Sequence, residues 1–487
     1  MSSVRRFAAP GYALLLALAV TAPLLAPGYL LLRDAVSTPR SYLSDDALGL
    51  SESAPRALPQ DFFVAVASHV VDGGVVVKAL LILGLWVAGW GAARLAALVL
   101  PDAGLGGSCV AATVAVWNPY VAERLLQGHW SLLVGYGCLP WVAAAMLRFR
   151  GGGSLWPLLM WVGLAGLTPT GLMLAATVAL VCAEVPGSGR PRWLCAALAL
   201  GVAVLAALPW LTASALSTTF SSAQAGIAAF AARAEPGLGT LGSLAGLAGI
   251  WNADAVPASR GSVFAVVGSA LLLVIVVIGL PVMRRAPAAV ALLLLGAVAV
   301  AVPAAMATGP GLAAADAVVR ALPGLGVVRD AQKWVALAMP GYSLAGAGAV
   351  VTLRRWVPGA AAAAVCCAAL IAVLPDLAWG VGGSVHSVRY PAGWAEAAQR
   401  INADPRPVAV LPADTMRQFA WSGPAPVLDP LPRWVRAHVW SSGDLTIAGR
   451  TVAGDGEKAR QIQHLLLRGA APAELAGAGV AWVVVES

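Results

Sequence analysis

Three small groups of charged residues in this chain could do chemistry, and each lies at the edge of an apolar run. Asp34 follows directly on the first run, and the pair Asp45-Asp46 comes a few residues later. An acid just beyond a membrane helix is either a solvated flank or the working group of a site at the lipid–water boundary. The second group is Glu123-Arg124 with His129 close behind, in NPYVAERLLQGHW (Asn118 to Trp130). The third is Arg329-Asp330 with Lys333 one turn later, in GVVRDAQKW. Every one of these cations adjoins an acid, so local ion pairs worth about 0–1 kcal/mol would account for them in solvated loops. The sharper reading is an anion site at membrane depth. Arginine offers a planar fork and lysine a point charge to a phosphate, and a lipid phosphate is the anion found at that height. His129 is a candidate base near neutral pH, set against the commoner hydrogen-bonded structural histidine.

Composition decides what must position these groups. The chain has 487 residues, 59% hydrophobic and only 11% charged, with a mean hydropathy of +0.80. Soluble domains are about 25% charged, so a polytopic α-helical membrane protein is expected. The net charge of +8 does not indicate nucleic acid, because the arginines fall in short pairs between apolar runs. All six cysteines (Cys109, Cys138, Cys182, Cys195, Cys366, Cys367) lie inside apolar segments, with no disulfide framework or C-x-x-C pattern. Arg5 and Arg6 precede an apolar run without a convincing small-residue cleavage site, which reads as a retained anchor.

The arginines also set the expected topology. A span needs about 20 apolar residues, and cytoplasmic loops carry the Lys/Arg excess. The marks are Arg5/Arg6, Arg94, Arg148/Arg150, Arg190/Arg192, Arg284/Arg285 and Arg354/Arg355, and between successive marks the chain must cross an even number of times. The apolar runs 10–32, 75–97, 104–117, 131–147, 193–216, 263–283, 287–308, 333–353 and 357–381 obey this rule. The interval Leu155 to Glu184 obeys it only as two short helices broken at Thr168-Pro169-Thr170, since proline disfavours helix at the residue before it. Each half then covers only about 20 Å and must be buried among other helices or lie in thinned bilayer. About eleven membrane segments result, in the cytoplasmic (inner) membrane, with the N-terminus cytoplasmic.

Four stretches fall on the outer face: 33–74, 118–130, 217–262 and 309–333. Within the first, Asp61 to Val71 (DFFVAVASHVV) reads as an interfacial amphipathic helix. Residues 1–381 form the transmembrane part. From 382 to 487 charges return, and VAVLP and WVVVE bracket helical stretches, which reads as a soluble extracytoplasmic α/β domain. It has neither GxGxxG nor a P-loop, so nothing points to nucleotide binding.

Taken together, a first span followed by an outer loop opening with Asp34, NPYVAERLLQGHW between two spans, TPT at a helix break, RDAQKW at an outer helix start and an outer α/β tail resemble the GT-C fold of polytopic glycosyltransferases. Within that group the chain looks like actinobacterial GT-C-like proteins of the YfhO type. In GT-C enzymes the acid of the first outer loop is the base towards the acceptor. The donor is a polyprenyl-phosphate sugar, and basic residues near the membrane hold its phosphate. Carried over, the resemblance makes Asp34 the base and Arg329 and Lys333 the donor phosphate ligands, with Arg124 a further candidate. Glu123, His129, Asp45, Asp46 and Asp330 are accessory candidates. Some members show adjacent acids early in this loop, whereas here Asp34 stands alone. A divalent metal, and Asp45 or Asp46 as the base, therefore stay open.

The chemistry is coherent with these residues. A carboxylate takes the acceptor hydroxyl proton, and positive charge stabilises the departing phosphate. A single base without a carboxylate nucleophile implies inversion at the anomeric carbon. The expected activity is transfer of a sugar to a cell-envelope glycan or glycoconjugate on the outer face, with the donor arriving sideways from membrane lipid. Two other classes fit the same hydropathy. A flippase of lipid-linked sugar would need charged groups near mid-membrane and paired half-helices related by a repeat, and only one broken pair is present. A non-catalytic GT-C-like subunit would recruit protein partners through its outer tail and would not need Asp34.

Overall fold

The structure, a computed structural model, describes residues 3–45, 47–48, 50, 58–216, 226–412, 415–447, 450–454 and 456–486. The first helix, α1 (Ser3–Thr21), stops earlier than the apolar run does. Pro23 and Pro27 lack the N–H that a continuing helix needs, so a short 3-10 turn, Ala22–Leu25, closes the span. The remaining apolar residues form strand β1 (Tyr29–Leu32) instead of helix. β1 turns through Arg33 and Asp34 into β2 (Ala35–Val36) and pairs on its other edge with β3 (Ser387–Val388), giving the order β2-β1-β3. This corrects the expected span 10–32. Asp34 stands at the tip of a hairpin and not at a helix end.

After α2 (Gln60–Ala67), whose Phe62, Phe63 and Val66 are exposed, α3 (Gly73–Val99) starts on an Asp72 N-cap and crosses the body. α4 (Gly104–Val116) returns, α5 (Pro119–Gln127) follows, and α6 (Trp130–Arg150) crosses again. The interval 155–184 is a hairpin of α7 (Trp156–Ala165) and α8 (Pro169–Ala183). At the break Thr168 is extended, and its hydroxyl accepts from the Gly171 N–H at 3.0 Å. Gly171 packs on Gly135 of α6, while the α8 end, Ala183, accepts from Arg150 at 2.7 Å. The hairpin thus lies alongside α6.

The second half comprises α9 (Arg192–Leu216), α10 (Gly239–Ala245), α11 (Phe264–Met283), α12 (Pro287–Met306), α13 (Gly309–Ala321), α14 (Ala338–Leu353) and α15 (Gly359–Ala372). A 3-10 turn, Ala331–Leu337, leads into α14. Among the described residues seven helices are long and apolar enough to cross a membrane, or eight if Gly359–Ala372 with Pro375–Gly382, bent by 76°, is one span. The expected count near eleven included short helices. α4 has 13 residues, α7 has 10 and α8 has 15, and many of their side chains are buried against longer neighbours. The protein is a multi-pass membrane protein.

One end of the bundle is an arginine end. Arg148, Arg284, Arg285, Arg354 and Arg355 are exposed there beside Trp156, Trp193 and Trp356, an arrangement suited to an interface. At the opposite end the stretch beyond Gly383 packs on the hairpin and the residues after it. Tyr390 Oη donates to Ser37 O at 2.9 Å, Arg433 pairs with Asp61 at 3.1 Å, and the Tyr42 N–H donates to Arg433 O at 3.1 Å. That stretch has its own aromatic core, with Trp394, Phe419 and Trp434, and a two-stranded parallel ladder joining Val408–Leu411 to Trp482–Val485.

Candidate active site

Asp34 owes its position to a two-residue turn. Leu32 pairs with Ala35 across the hairpin, and of the two tip residues only Arg33 has positive φ (48°), the pattern of a II′ turn. That turn prefers glycine at its first tip position, so Arg33 holds a strained conformation. Its side chain secures it: Arg33 Nη1 donates to Leu126 O at 2.5 Å and Nη2 to Asp254 O at 2.6 Å. Its backbone exchanges two hydrogen bonds with Pro426 and Leu428 at 2.8 Å each. The tip is therefore gripped by α5, by the stretch before α11 and by the C-terminal stretch.

NPYVAERLLQGHW builds the floor beneath it. Asn118 is the N-cap of α5 (side chain to the Val121 N–H, 3.0 Å), Pro119 occupies the first turn, and Gly128 (φ +82°) ends the helix in the left-handed region. A Cβ on Gly128 would collide with the backbone of Leu32 and Ala35, so the hairpin rests directly on this glycine. Every residue of α5 is buried, which corrects the expectation of a surface loop over 118–130. Its polar residues are buried because each is partnered.

Glu123 and Arg124 point to different partners. Glu123 accepts from the Gly249 and Ile250 N–H groups at 3.0 and 3.1 Å and from Gln332 Nε2 at 3.1 Å. Burial and the nearby Glu235 push its carboxyl up to about 8, against the pull of Arg124 and the backbone donors. Arg124 is wholly buried and forks onto Asp330 at 2.8 and 3.1 Å, with further contacts to Gln332 Oε1 and His129 Nδ1. Its charge is committed inside the protein, so Arg124 does not present itself to a ligand as expected, and Glu123 is an anchor for the 249–250 backbone.

The remaining groups converge. Asp34 Oδ2 accepts from His129 Nε2 at 3.0 Å and from Gln127 Nε2 at 3.1 Å. Lys333 Nζ lies 3.7 Å from Asp330 Oδ2, its side chain 24% exposed. The Asp34 side chain is 43% exposed, yet enough protein surrounds it that burial works against its charge. His129, Gln127 and Lys333 outweigh that burial and hold its carboxyl below the usual range. Asp330 is also buried, and Arg124 and Lys333 drive it far below that range. His129 goes the other way: burial, Lys333 and Arg124 lower it against Asp34, so the imidazole is neutral at pH 7. Arg329 is half-buried, with its guanidinium 5.1 Å from the Phe230 ring centroid, and its charge is felt at Lys333. Lys333 and Arg329 thus bring positive charge to the Asp34 side of the network, while burial and the neighbouring arginines pull the Lys333 ammonium below its ordinary range. An anion placed there would relieve the mutual repulsion of these cations.

Asp45 is exposed and makes no side-chain contact with this cluster, and Asp46 lies outside the described residues. Among the described residues no three His, Cys, Asp or Glu groups gather as a metal site. Gln127, Asn252 and Arg33 were not singled out in the sequence. Gln127 could have drawn notice as the residue before the helix-ending Gly128; nothing in the spacing ties Asn252 to Asp34.

The fold can be set beside a solved structure. No protein-family model matches the chain, and no curated protein is significantly similar to it in sequence. Among solved structures it is similar to the arabinofuranosyltransferase AftD from Mycobacteria, with a TM-score of 0.58 over 91% of this chain at 20% identity. The chain spans 32% of the length of that protein. At that identity the likeness is one of fold alone.

Proposed function

We propose that the chain is an inverting glycosyltransferase that moves a sugar from a polyprenyl-phosphate donor to a cell-envelope glycan or glycoconjugate. Asp34 is the base, and Lys333 with Arg329 receives the donor phosphate. The Asp34 end of the bundle faces outside, the N-terminus is cytoplasmic, and 382–487 is an extracytoplasmic domain. The observation that carries this reading is the junction of Asp34 and Lys333, residues from opposite halves of the chain. They meet around one buried network, each within electrostatic reach of the other. A partly exposed carboxylate beside the Lys333 and Arg329 cations is what proton removal and phosphate departure require of one site.

The likeness to AftD makes polyprenyl-phosphate arabinofuranose the first donor to offer. Membership of the YfhO-type branch is part of the same proposal. The purified protein, in lipid nanodiscs with polyprenyl phosphate, tests it by cryo-electron microscopy. Density for the phosphate should lie within hydrogen-bonding reach of Lys333 and Arg329 with its chain running into lipid. Phosphate bound only at the arginine end would overturn the assignment.

A further inference from the structure

Two chains of hydrogen bonds end on the same oxygen of Asp34, and the direction of each is fixed by chemistry. The first runs through His129. Arg124 Nη1 lies 3.0 Å from His129 Nδ1, and a guanidinium only donates. Nδ1 is therefore the bare nitrogen, and the hydrogen on Nε2 goes to Asp34 Oδ2 at 3.0 Å. Arg124 is in turn held by Asp330. The second chain begins at a backbone N–H, another obligate donor. The Asp254 N–H donates to Asn252 Oδ1 at 3.1 Å, which leaves Asn252 Nδ2 to donate to Gln127 Oε1 at 2.8 Å. Gln127 Nε2 must then face Asp34 Oδ2, 3.1 Å away. Neither the histidine tautomer nor the two amide orientations is free. Asp34 Oδ1, by contrast, takes no hydrogen bond among the described residues.

We infer that His129 and Gln127 are positioning residues, locked as donors by Arg124 and Asn252, that occupy Asp34 Oδ2 and reserve Oδ1 for the acceptor's proton. The inference rests on Asp34 being the base. His129 itself is not a base in this arrangement. Its one lone pair faces Arg124, and its one hydrogen faces Asp34. In the transfer step the acceptor O–H proton passes to Asp34 Oδ1 while the acceptor oxygen bonds the anomeric carbon. The anomeric carbon–oxygen bond to phosphate breaks, and the phosphate leaves with that electron pair. Asp34 then returns its proton to water. Asn252 and Asp254 lie in the stretch before α11, so the position of that stretch is transmitted to the carboxylate. The charged and titratable groups facing Asp34 are His129, Lys333 and Arg33; those facing His129 are Asp34, Arg124, Lys333 and Asp330.

Four variants of the full chain test this by the pH dependence of kcat alongside donor KM. His129→Gln keeps an N–H donor without a titrating ring, and it should retain transfer within about tenfold, the weight of one altered hydrogen bond. His129→Ala removes the donor. It should lower kcat by about a hundredfold and move the acid limb of the profile to higher pH, because the carboxylate loses a stabilising partner. Asn252→Asp is nearly isosteric and touches no substrate. A carboxylate at 252 only accepts, so Gln127 must flip and turn its carbonyl on Asp34, which should also raise the acid limb with donor KM little changed. The new negative charge at 252 adds to that shift on its own, so His129 carries the discriminating readout: a merely structural role predicts that His129→Gln and His129→Ala move the acid limb alike, whereas donor positioning predicts a shift in His129→Ala that His129→Gln largely restores.

If His129→Gln is as inactive as Asp34→Asn, or the acid limb stays fixed in both His129→Ala and Asn252→Asp, the inference is wrong. Its failure is separable from failure of the parent reading, which shows as undiminished transfer in Asp34→Asn.

Discussion

At the residue scale, the two ionisable partners of the site are held in the forms that proton removal needs. Asp34 lies below its ordinary pKa, so its carboxylate is the resident form across the neutral range, and His129 stays uncharged beside it. The sign follows. A base with a depressed pKa is active above that value and loses activity only as pH falls through it. Transfer should thus be flat from pH 8 down to about 5, and a fall centred near the ordinary histidine pKa would point to His129 instead. Lys333 makes a different prediction. Lys333→Ala should raise donor KM by about tenfold or more, with a further loss in kcat as charge builds on the leaving phosphate. An unchanged KM in steady-state kinetics would place the phosphate elsewhere. Charged residues at the edges of apolar runs were legible in the sequence, which is why Asp34, Arg329 and Lys333 stood out. Arg124 stood out for the same reason, but sequence spacing does not show that Asp330 consumes its fork. Gln127 and Asn252 were hidden because neutral amides leave no charge or hydropathy signature.

At the scale of elements, the Arg33-Asp34 hairpin and its seat on Gly128 decide where the carboxylate is. Gly128→Ala would put a methyl group against the Leu32 and Ala35 backbone and impose the left-handed conformation on alanine. Displacing Asp34 by about 1 Å should cost about a hundredfold in kcat; wild-type kcat in this variant would show that the hairpin is not seated there. Arg33→Gly and Arg33→Ala both lose the clamps on Leu126 and Asp254, but only glycine relieves the positive φ. The glycine variant should be the more stable of the two by about 1 kcal/mol in a denaturation series. Glu123→Ala strands the Gly249 and Ile250 N–H groups and should cost about 2–5 kcal/mol, read as faster hydrogen exchange at those two amides. The break at Thr168-Pro169 was legible because proline acts locally. The end of α1 was not, since Tyr29–Leu32 is as apolar as a helix; β1 needs that character because Leu30, Leu31 and Leu32 are all buried.

At the scale of the whole molecule, the hairpin and the C-terminal stretch pack together at one end of the bundle, and the exposed arginines gather at the other. The alternation of arginine marks carried this much of the arrangement. The number of spans did not follow from it, because short helices such as α4, α7 and α8 are apolar for burial against neighbours as much as for lipid. All six cysteines are free and at least half-buried, so single added thiols can report sidedness. Asp45→Cys and His386→Cys should react with an impermeant thiol reagent from one face of intact membranes, Ser154→Cys and Ser188→Cys only from the other. Labelling of Ser154→Cys and His386→Cys from the same face would overturn the proposed orientation.

The central claim is that Asp34 removes the acceptor proton, and the most direct measurement is sugar transfer by Asp34→Asn with donor binding followed in parallel. The amide keeps the shape of the side chain and cannot take the proton. Transfer should fall by about 10²–10⁴-fold while donor affinity stays within about threefold of wild type. Transfer at the wild-type rate in Asp34→Asn would contradict the account.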